Sequence, residues 1–186
     1  MWKALHKYGL AAALLLVATF AEAQSSYHWS STAAGCVPDS TTIADQRYVS
    51  TPIGSVMHKP LNLTRITLNC PVHFIPKIDN LPPPNVMFIF YRDTSPQTAN
   101  ATFVRVTLFR LPMDPPQAVA QTFATFSSKT AFPYPASSEL ITYRSIDLPP
   151  QQLELNRYSY YIRIELARSS ANHTVIIFGV ALGYRV

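Results

Sequence analysis

The chain has 186 residues and a formal net charge of +5 at pH 7, from 15 lysines and arginines against 10 aspartates and glutamates. This length is sufficient for one domain with a hydrophobic core. The arginines are scattered singly and form no basic run, whereas nucleic-acid binding needs basic residues clustered on one element or face. We therefore expect no nucleic-acid partner.

The first 23 residues have the pattern of an export signal peptide. Lys3 and Lys7 precede an apolar run over residues 10–20, and residues 21–23 (Ala-Glu-Ala) form a small-x-small cleavage site. The apolar run is short, because roughly 20 helical residues are needed to span a bilayer. We therefore predict that residues 1–23 are removed and that the protein is secreted or periplasmic. A leader retained as a membrane anchor is the alternative, and no later stretch predicts a transmembrane helix.

Residues 24–34 are small and polar and predict a lead-in arm, and residues 35–186 predict a single folded domain. In that domain short apolar stretches alternate with breaks that contain proline. Proline cannot donate to a strand ladder, so these breaks predict loops. The predicted strands are 43–50, 54–58, 61–69, 72–75, 86–92, 102–111, 140–146, 158–167 and 174–184. Residues 118–130 fit a helix or a strand, and their β-branched and aromatic content favours a strand.

The stretch YSYYIRIEL shows the clearest period of two. The more apolar side chains fall on one face, and the other face carries Ser159, Tyr161, Arg163 and Glu165, which is the pattern of a half-buried strand. Seven to nine such strands with proline-rich turns and almost no helix predict an all-β fold. We expect an antiparallel β-sandwich of jelly-roll or immunoglobulin-like type.

Cys36 and Cys70 are the two cysteines of the chain. Two cysteines in an oxidising compartment usually pair. A structural zinc site would need four ligands, and no C-x-x-C motif or histidine pair accompanies these residues. We therefore predict a disulfide that ties the start of the domain to the sheet. Free reactive thiols are the alternative.

Four short stretches together resemble a class of small secreted bacterial proteins that have no assigned activity. The stretches are GCVP at residues 35–38, a Gly-x-Val step at 54–56, ITLNCPV at 66–72 and the tyrosine-rich strand at 158–167. The resemblance covers about half of the chain. It implies a β-sandwich stapled by a disulfide and assigns no catalytic residue.

Sequence motifs for catalysis, metals and cofactors are missing. The chain has no G-x-S-x-G elbow, H-E-x-x-H motif or EF-hand loop. We therefore expect no metal, cofactor or catalytic residue. The isolated histidines predict loop or surface roles: His28, His58, His73 and His173. A carbohydrate-active enzyme, which needs two opposed carboxylates, is the alternative that stays open.

Tyr161 lies opposite the apolar stripe of its strand and beside Arg163. An exposed tyrosine next to an arginine is typical of a platform that stacks on a sugar ring or anchors a protein partner. The alternative is that a second sheet or a loop covers this face and that Tyr161 belongs to the core. We predict Tyr161 and Arg163 as ligand-binding residues of a non-enzymatic binding or surface module. Its expected partner is a glycan or another exported protein.

Two further patterns leave alternatives open. Residues 176–186 alternate in the manner of the last strand of a small outer-membrane β-barrel. Residues 86–90 are apolar on both faces, which favours a strand packed inside a sandwich. Three Asn-x-Thr sequons, at residues 62–64, 100–102 and 172–174, matter only in a host that glycosylates exported proteins.

Overall fold

The structure, a computed structural model, describes residues 26–44, 46–73, 83–94, 102–114, 119–130, 142–149, 153–154 and 156–185. Several predictions of the sequence fall wholly or partly outside these residues: the signal peptide at 1–23, the end of the strand at 72–75, the start of the strand at 140–146, and Asn100 of one sequon. Within the described residues the protein is all-β, and the antiparallel β-sandwich expected from the sequence is confirmed.

The strands are numbered in chain order. A one-turn 3-10 helix (Ala33–Gly35) follows β1, and a short α-helix, α1 (Ser40–Ala44), lies between β2 and β3. The strands are β1 (Ser26–Thr32), β2 (Val37–Pro38), β3 (Tyr48–Ser50), β4 (Val56–His58), β5 (Ile66–Val72), β6 (Val86–Asp93), β7 (Phe103–Pro112), β8 (Gln121–Ser127), β9 (Thr142–Asp147), β10 (Tyr158–Ala167) and β11 (Val175–Tyr184).

These strands form two separate antiparallel sheets. Sheet A has the order β3-β4-β11-β6-β9, and β1 also pairs with β11. Sheet B has the order β2-β5-β10-β7-β8. The inner faces of both sheets contribute to one hydrophobic core. The long strands β10 and β11 therefore lie inside their sheets, with a neighbour on each side.

The core follows the period of two that the sequence shows for β10. Ile162, Ile164 and Leu166 have no exposed surface, whereas Tyr161, Arg163 and Glu165 between them are only half-buried. Successive side chains of a strand point to opposite faces, so one face packs against sheet A and the other faces outward. The bounds predicted for this strand agree with the structure.

Two predicted strands are wrong at their starts. The strand expected at 43–50 begins only at Tyr48, because residues 40–44 form α1. Asp39 begins this helix, since its carboxylate accepts hydrogen bonds from the backbone N–H of Thr42 at 2.7 Å and from the Thr41 hydroxyl at 3.1 Å. A side chain that binds nearby backbone in this way competes with a strand ladder.

The strand expected at 61–69 begins at Ile66, after a turn, and continues to Val72. The separate strand expected to begin at residue 72 is therefore wrong, since Val72 ends β5 and His73 is not in a strand. Leu61 has a φ of 63°, and the side-chain oxygen of Asn62 accepts a hydrogen bond from the backbone N–H of Thr64 at 2.9 Å. Asparagine commonly forms such turns with its own backbone. For residues 118–130 the expected strand is confirmed as β8.

The predicted arm at residues 24–34 contains β1. This strand pairs with residues 179–184 of β11, beside the shorter pairing of β4 with residues 176–177. The backbones approach closely at Gly179, where an added Cβ would lie 2.7 Å from the carbonyl oxygen of Ser31. Trp29 packs against the core. Residues 26–32 of the arm are therefore part of sheet A.

The predicted disulfide between Cys36 and Cys70 is confirmed, with 4.4 Å between the two Cα atoms. Both cysteines are buried. Cys70 belongs to β5 of sheet B, and Cys36 follows the turn that leaves β1 of sheet A. The bond therefore fixes the crossing of the chain from one sheet to the other.

Replacing both cysteines by serine should lower the free energy of unfolding by about 3–4 kcal/mol, because the bond closes a loop over a separation of 34 positions. The measurement is denaturant unfolding of the double variant beside the oxidised wild-type protein. An unchanged unfolding midpoint would show that the bond contributes little to stability.

Candidate functional site

The outward side of sheet B, which we call outer face B, carries the residues that the sequence singled out. The register places Tyr161 beside Pro71 and Phe109, Arg163 beside Asn69 and Thr107, and Glu165 beside Thr67 and Arg105. We define outer face B by these residues together with Arg65 and Phe103. Because β10 lies between β5 and β7, each of its outward side chains has a neighbour on both sides.

An aromatic pair occupies one end of outer face B. The rings of Tyr161 and Phe109 stack with their centroids 5.0 Å apart and an interplanar angle of 12°. The two residues are direct cross-strand partners, which brings their side chains within contact distance. Tyr161 is half-buried and lies outside the hydrophobic core. Its predicted role in ligand binding stays a prediction.

Arg163 is held between an aromatic ring and an amide. Its guanidinium carbon lies 5.1 Å from the centroid of Phe109, and its Nε donates a long hydrogen bond of 3.5 Å to the side-chain oxygen of Asn69. The structure therefore brings together the two residues that the sequence predicted as ligand contacts, with Phe109 between them.

The sequence analysis placed Glu165 on this face but missed the ion pairs that surround it. The carboxylate of Glu165 pairs with Arg65 at 3.0 Å and with Arg105 at 3.4 Å. Both guanidinium groups also lie near the ring of Phe103, at 5.7 and 4.8 Å from its centroid. The side chain of Glu165 is only 16% exposed, against 54% for Arg65 and 43% for Arg105. The carboxylate is covered by the arginines, and the arginines reach solvent.

Two cavities lie away from outer face B. One of about 270 Å³ is mainly apolar and lies beside β1. Its lining includes Ser31, Phe90 and Phe178. The other, of about 330 Å³, lies between β8 and β9 and includes Thr125, Arg144 and Ser145 in its lining. Neither cavity is lined by Tyr161 or Arg163.

Most described carboxylates are engaged by neighbouring side chains. In addition to Glu165, three of them have polar partners in the folded chain: Asp93 with Ser128, Asp147 with Arg185 and Glu154 with Arg157. Asp39 begins α1, as described above. No cluster of three or more potential metal ligands occurs among the described residues. Asp45, Asp79 and Glu139 lie outside the described residues.

His58 corrects a prediction of the sequence analysis, because it is neither in a loop nor at the surface. It belongs to β4 and is 2% exposed. Its Nε2 lies 2.8 Å from the carbonyl oxygen of Thr64, to which it donates. Burial lowers the pKa of His58 from 6.5 to about 4, and the positive charge of Arg168 acts in the same direction. The neutral imidazole is therefore a structural group within sheet A.

Comparisons of the chain with protein-family models, with curated proteins and with solved structures find no match. In the part of the chain that the structure describes, no helix is long and apolar enough to cross a membrane.

The pKa of His58 predicts how stability depends on pH. The folded protein binds the imidazole proton only near pH 4, whereas the unfolded chain binds it near pH 6.5. Stability should therefore be retained above pH 6.5 and fall as the pH is lowered from 6.5 to 4, by about 3 kcal/mol in total. Denaturant unfolding across this pH range measures the fall.

His58→Gln keeps a side-chain donor for Thr64 but cannot titrate, so its pH dependence should be shallower than that of the wild-type protein. His173→Gln, a change in a partly exposed turn, is the matched control and should keep the wild-type slope. Equal slopes in the wild-type protein and His58→Gln would contradict the assignment.

The two faces of β10 should respond differently to truncation. Ile162→Ala removes fully buried methyl and methylene groups and should cost about 2–5 kcal/mol. Tyr161→Ala removes the stacked pair on outer face B and should cost about 1 kcal/mol. Thermal unfolding of both variants makes the comparison. If both variants lose the same stability, Tyr161 contributes to folding as much as a core residue does.

Proposed function

We propose that this protein is a non-enzymatic binding module, exported to the periplasm or secreted, and that outer face B holds its ligand. Tyr161 and Arg163 are the proposed contacts. Export is supported by the signal-peptide pattern of residues 1–23 and by the resemblance to small secreted bacterial proteins. The proposed partner is a glycan or another exported protein.

One observation carries this proposal: aromatic and guanidinium groups are gathered on a face that lies opposite the core. The inner face of β10 supplies its share of the hydrophobic core through Tyr160, Ile162, Ile164 and Leu166. The stacked rings of Tyr161 and Phe109 and the guanidinium of Arg163 lie on the other side of the same strand. Large aromatic groups and arginine are enriched at the centres of binding surfaces.

The geometry limits how a ligand can contact Tyr161. Phe109 covers one face of its ring, and Pro71 is its cross-strand neighbour on the other side. A ligand therefore contacts the part of the ring and the phenol hydroxyl group that these two residues leave exposed. A sugar ring has an apolar face, which packs on an aromatic ring, and hydroxyl groups, which need polar partners. Asn69 supplies such a group in the neighbouring row of outer face B.

The binding test uses the protein purified from the exported fraction, with cell-wall polysaccharide fractions and co-exported proteins as probes. Tyr161→Ala should weaken binding by about 1–3 kcal/mol, as expected for a stacking or interface aromatic. Tyr143→Ala is the matched control, because this tyrosine is 47% exposed on β9 of sheet A. The control should bind as the wild-type protein does.

Two results would contradict the proposal. One is binding that is unaffected by both Tyr161→Ala and Arg163→Ala. The other is rapid turnover of a bound saccharide that is lost on changing a single carboxylate, which would make the protein a carbohydrate-active enzyme.

A further inference from the structure

Outer face B has a net positive charge, although the arginines that supply it are far apart in the sequence. It holds the arginines at 65, 105 and 163 and one carboxylate, that of Glu165. Glu165 pairs with two of these arginines, and its charge can neutralise only one. The face therefore keeps an excess of two positive charges beside an aromatic pair. We infer that the ligand of outer face B is an acidic glycan, an inference that rests on the proposed function.

The three guanidinium groups are held in place before any ligand arrives. Arg105 lies 4.8 Å from the centroid of Phe103, Arg163 lies 5.1 Å from that of Phe109, and Arg65 is fixed by Glu165. Ordering a long side chain costs free energy when a complex forms. Because these side chains are already ordered by the sheet, that cost is reduced for an anion that binds here.

The arginines also keep unused donors. A guanidinium has five N–H donors, and the described contacts use one Nη1 on Arg65, one Nη1 on Arg105 and the Nε of Arg163. The planar arrangement of the remaining donors matches a carboxylate or a sulfate group, often with two parallel hydrogen bonds. Exposure of 54% for the Arg65 side chain and 43% for that of Arg105 leaves these groups open to solvent.

The spacing of the charges favours a polymer over a small anion. Arg163 and Glu165 are two residues apart along β10, about 7 Å. Arg65, which lies just before β5, and Arg105, which lies on β7, converge on the Glu165 carboxylate. The positive charge therefore has two positions along β10, one at Arg163 and one at the pair of Arg65 and Arg105. A chain of sugars with repeated acidic groups can contact both positions while one of its rings packs against Tyr161 and its hydroxyl groups meet Asn69.

The test compares polygalacturonate, a polymer of uronic acid, with the same polymer after reduction of its carboxyl groups to alcohols, and includes single-stranded DNA as a different polyanion. Binding to the full protein from the exported fraction is measured by titration calorimetry at low and at physiological salt. We expect the acidic polymer to bind at least about tenfold more tightly than its reduced form, and this preference to shrink as salt is added.

Charge-neutralising variants locate the binding. Arg105→Gln and Arg163→Gln should each weaken binding of polygalacturonate by about tenfold. Arg185→Gln removes the same charge from sheet A, where Arg185 pairs with Asp147 at 3.5 Å, and should change binding less than about twofold. Thermal unfolding establishes that each variant is folded before its affinity is compared.

The outcomes separate this inference from the proposed function. Equal binding of both polymers, still weakened by Tyr161→Ala, overturns the acidic glycan and leaves the binding module. Binding of DNA as tight as that of polygalacturonate, through the same arginines, overturns the glycan assignment. If Arg185→Gln loses as much affinity for polygalacturonate as Arg105→Gln and Arg163→Gln do, the ligand is not bound at outer face B. If neither polymer binds and cell-wall fractions and exported proteins are not bound either, the proposed function itself fails.

Discussion

Burial of one side of β10 is the constraint on which the rest of the structure depends. Ile162, Ile164 and Leu166 are enclosed completely between the two sheets. Because the strand has a period of two, this burial commits Tyr161, Arg163 and Glu165 to the other face. A slip of one residue would expose the apolar set and bury a carboxylate and a guanidinium, each at a cost of several kcal/mol. The core therefore determines which side chains outer face B presents.

The strand order of sheet B places these three side chains beside those of two neighbouring strands, and together they form outer face B. β10 lies between β5 and β7, so residues far apart in the sequence become neighbours. Arg65 and Arg105 reach Glu165 from opposite sides, and Phe109 stacks on Tyr161. Glu165 has a particular part in this arrangement. It holds two like charges close together whose mutual repulsion would otherwise separate them, and it remains largely covered itself.

Local patterns in the sequence predicted the features that depend on local physics. The alternation in residues 158–167 gave the bounds of β10, and the export context predicted the pairing of Cys36 with Cys70. The helix at residues 40–44 was missed because a single carboxylate, that of Asp39, decides it against the β-branched residues that follow. Burial of His58 was missed because one histidine in a three-residue strand has no pattern of its own.

The arginine cluster could not be predicted from the sequence, because it depends on which strands are neighbours in sheet B. Arg65, Arg105 and Arg163 are isolated in the chain, and only the order β5-β10-β7 brings them to one face. A sequence shows which side chains share a face of one strand, but it does not show which strands are neighbours. The sequence therefore has no basic run, although the folded chain concentrates positive charge on outer face B.

The pairing of β1 with β11 has a consequence for how the chain folds. These are the first and last strands of the described chain, and Ser26 lies opposite Tyr184 in their ladder. Contacts between such distant segments form slowly, because the chain loses the entropy of closing a long loop before the contacts stabilise it. A chain synthesised from its N-terminus would hold β1 unpaired until β11 appears. The bond between Cys36 and Cys70 needs only the first part of the chain. It can therefore form before β11, the central strand of sheet A, is present.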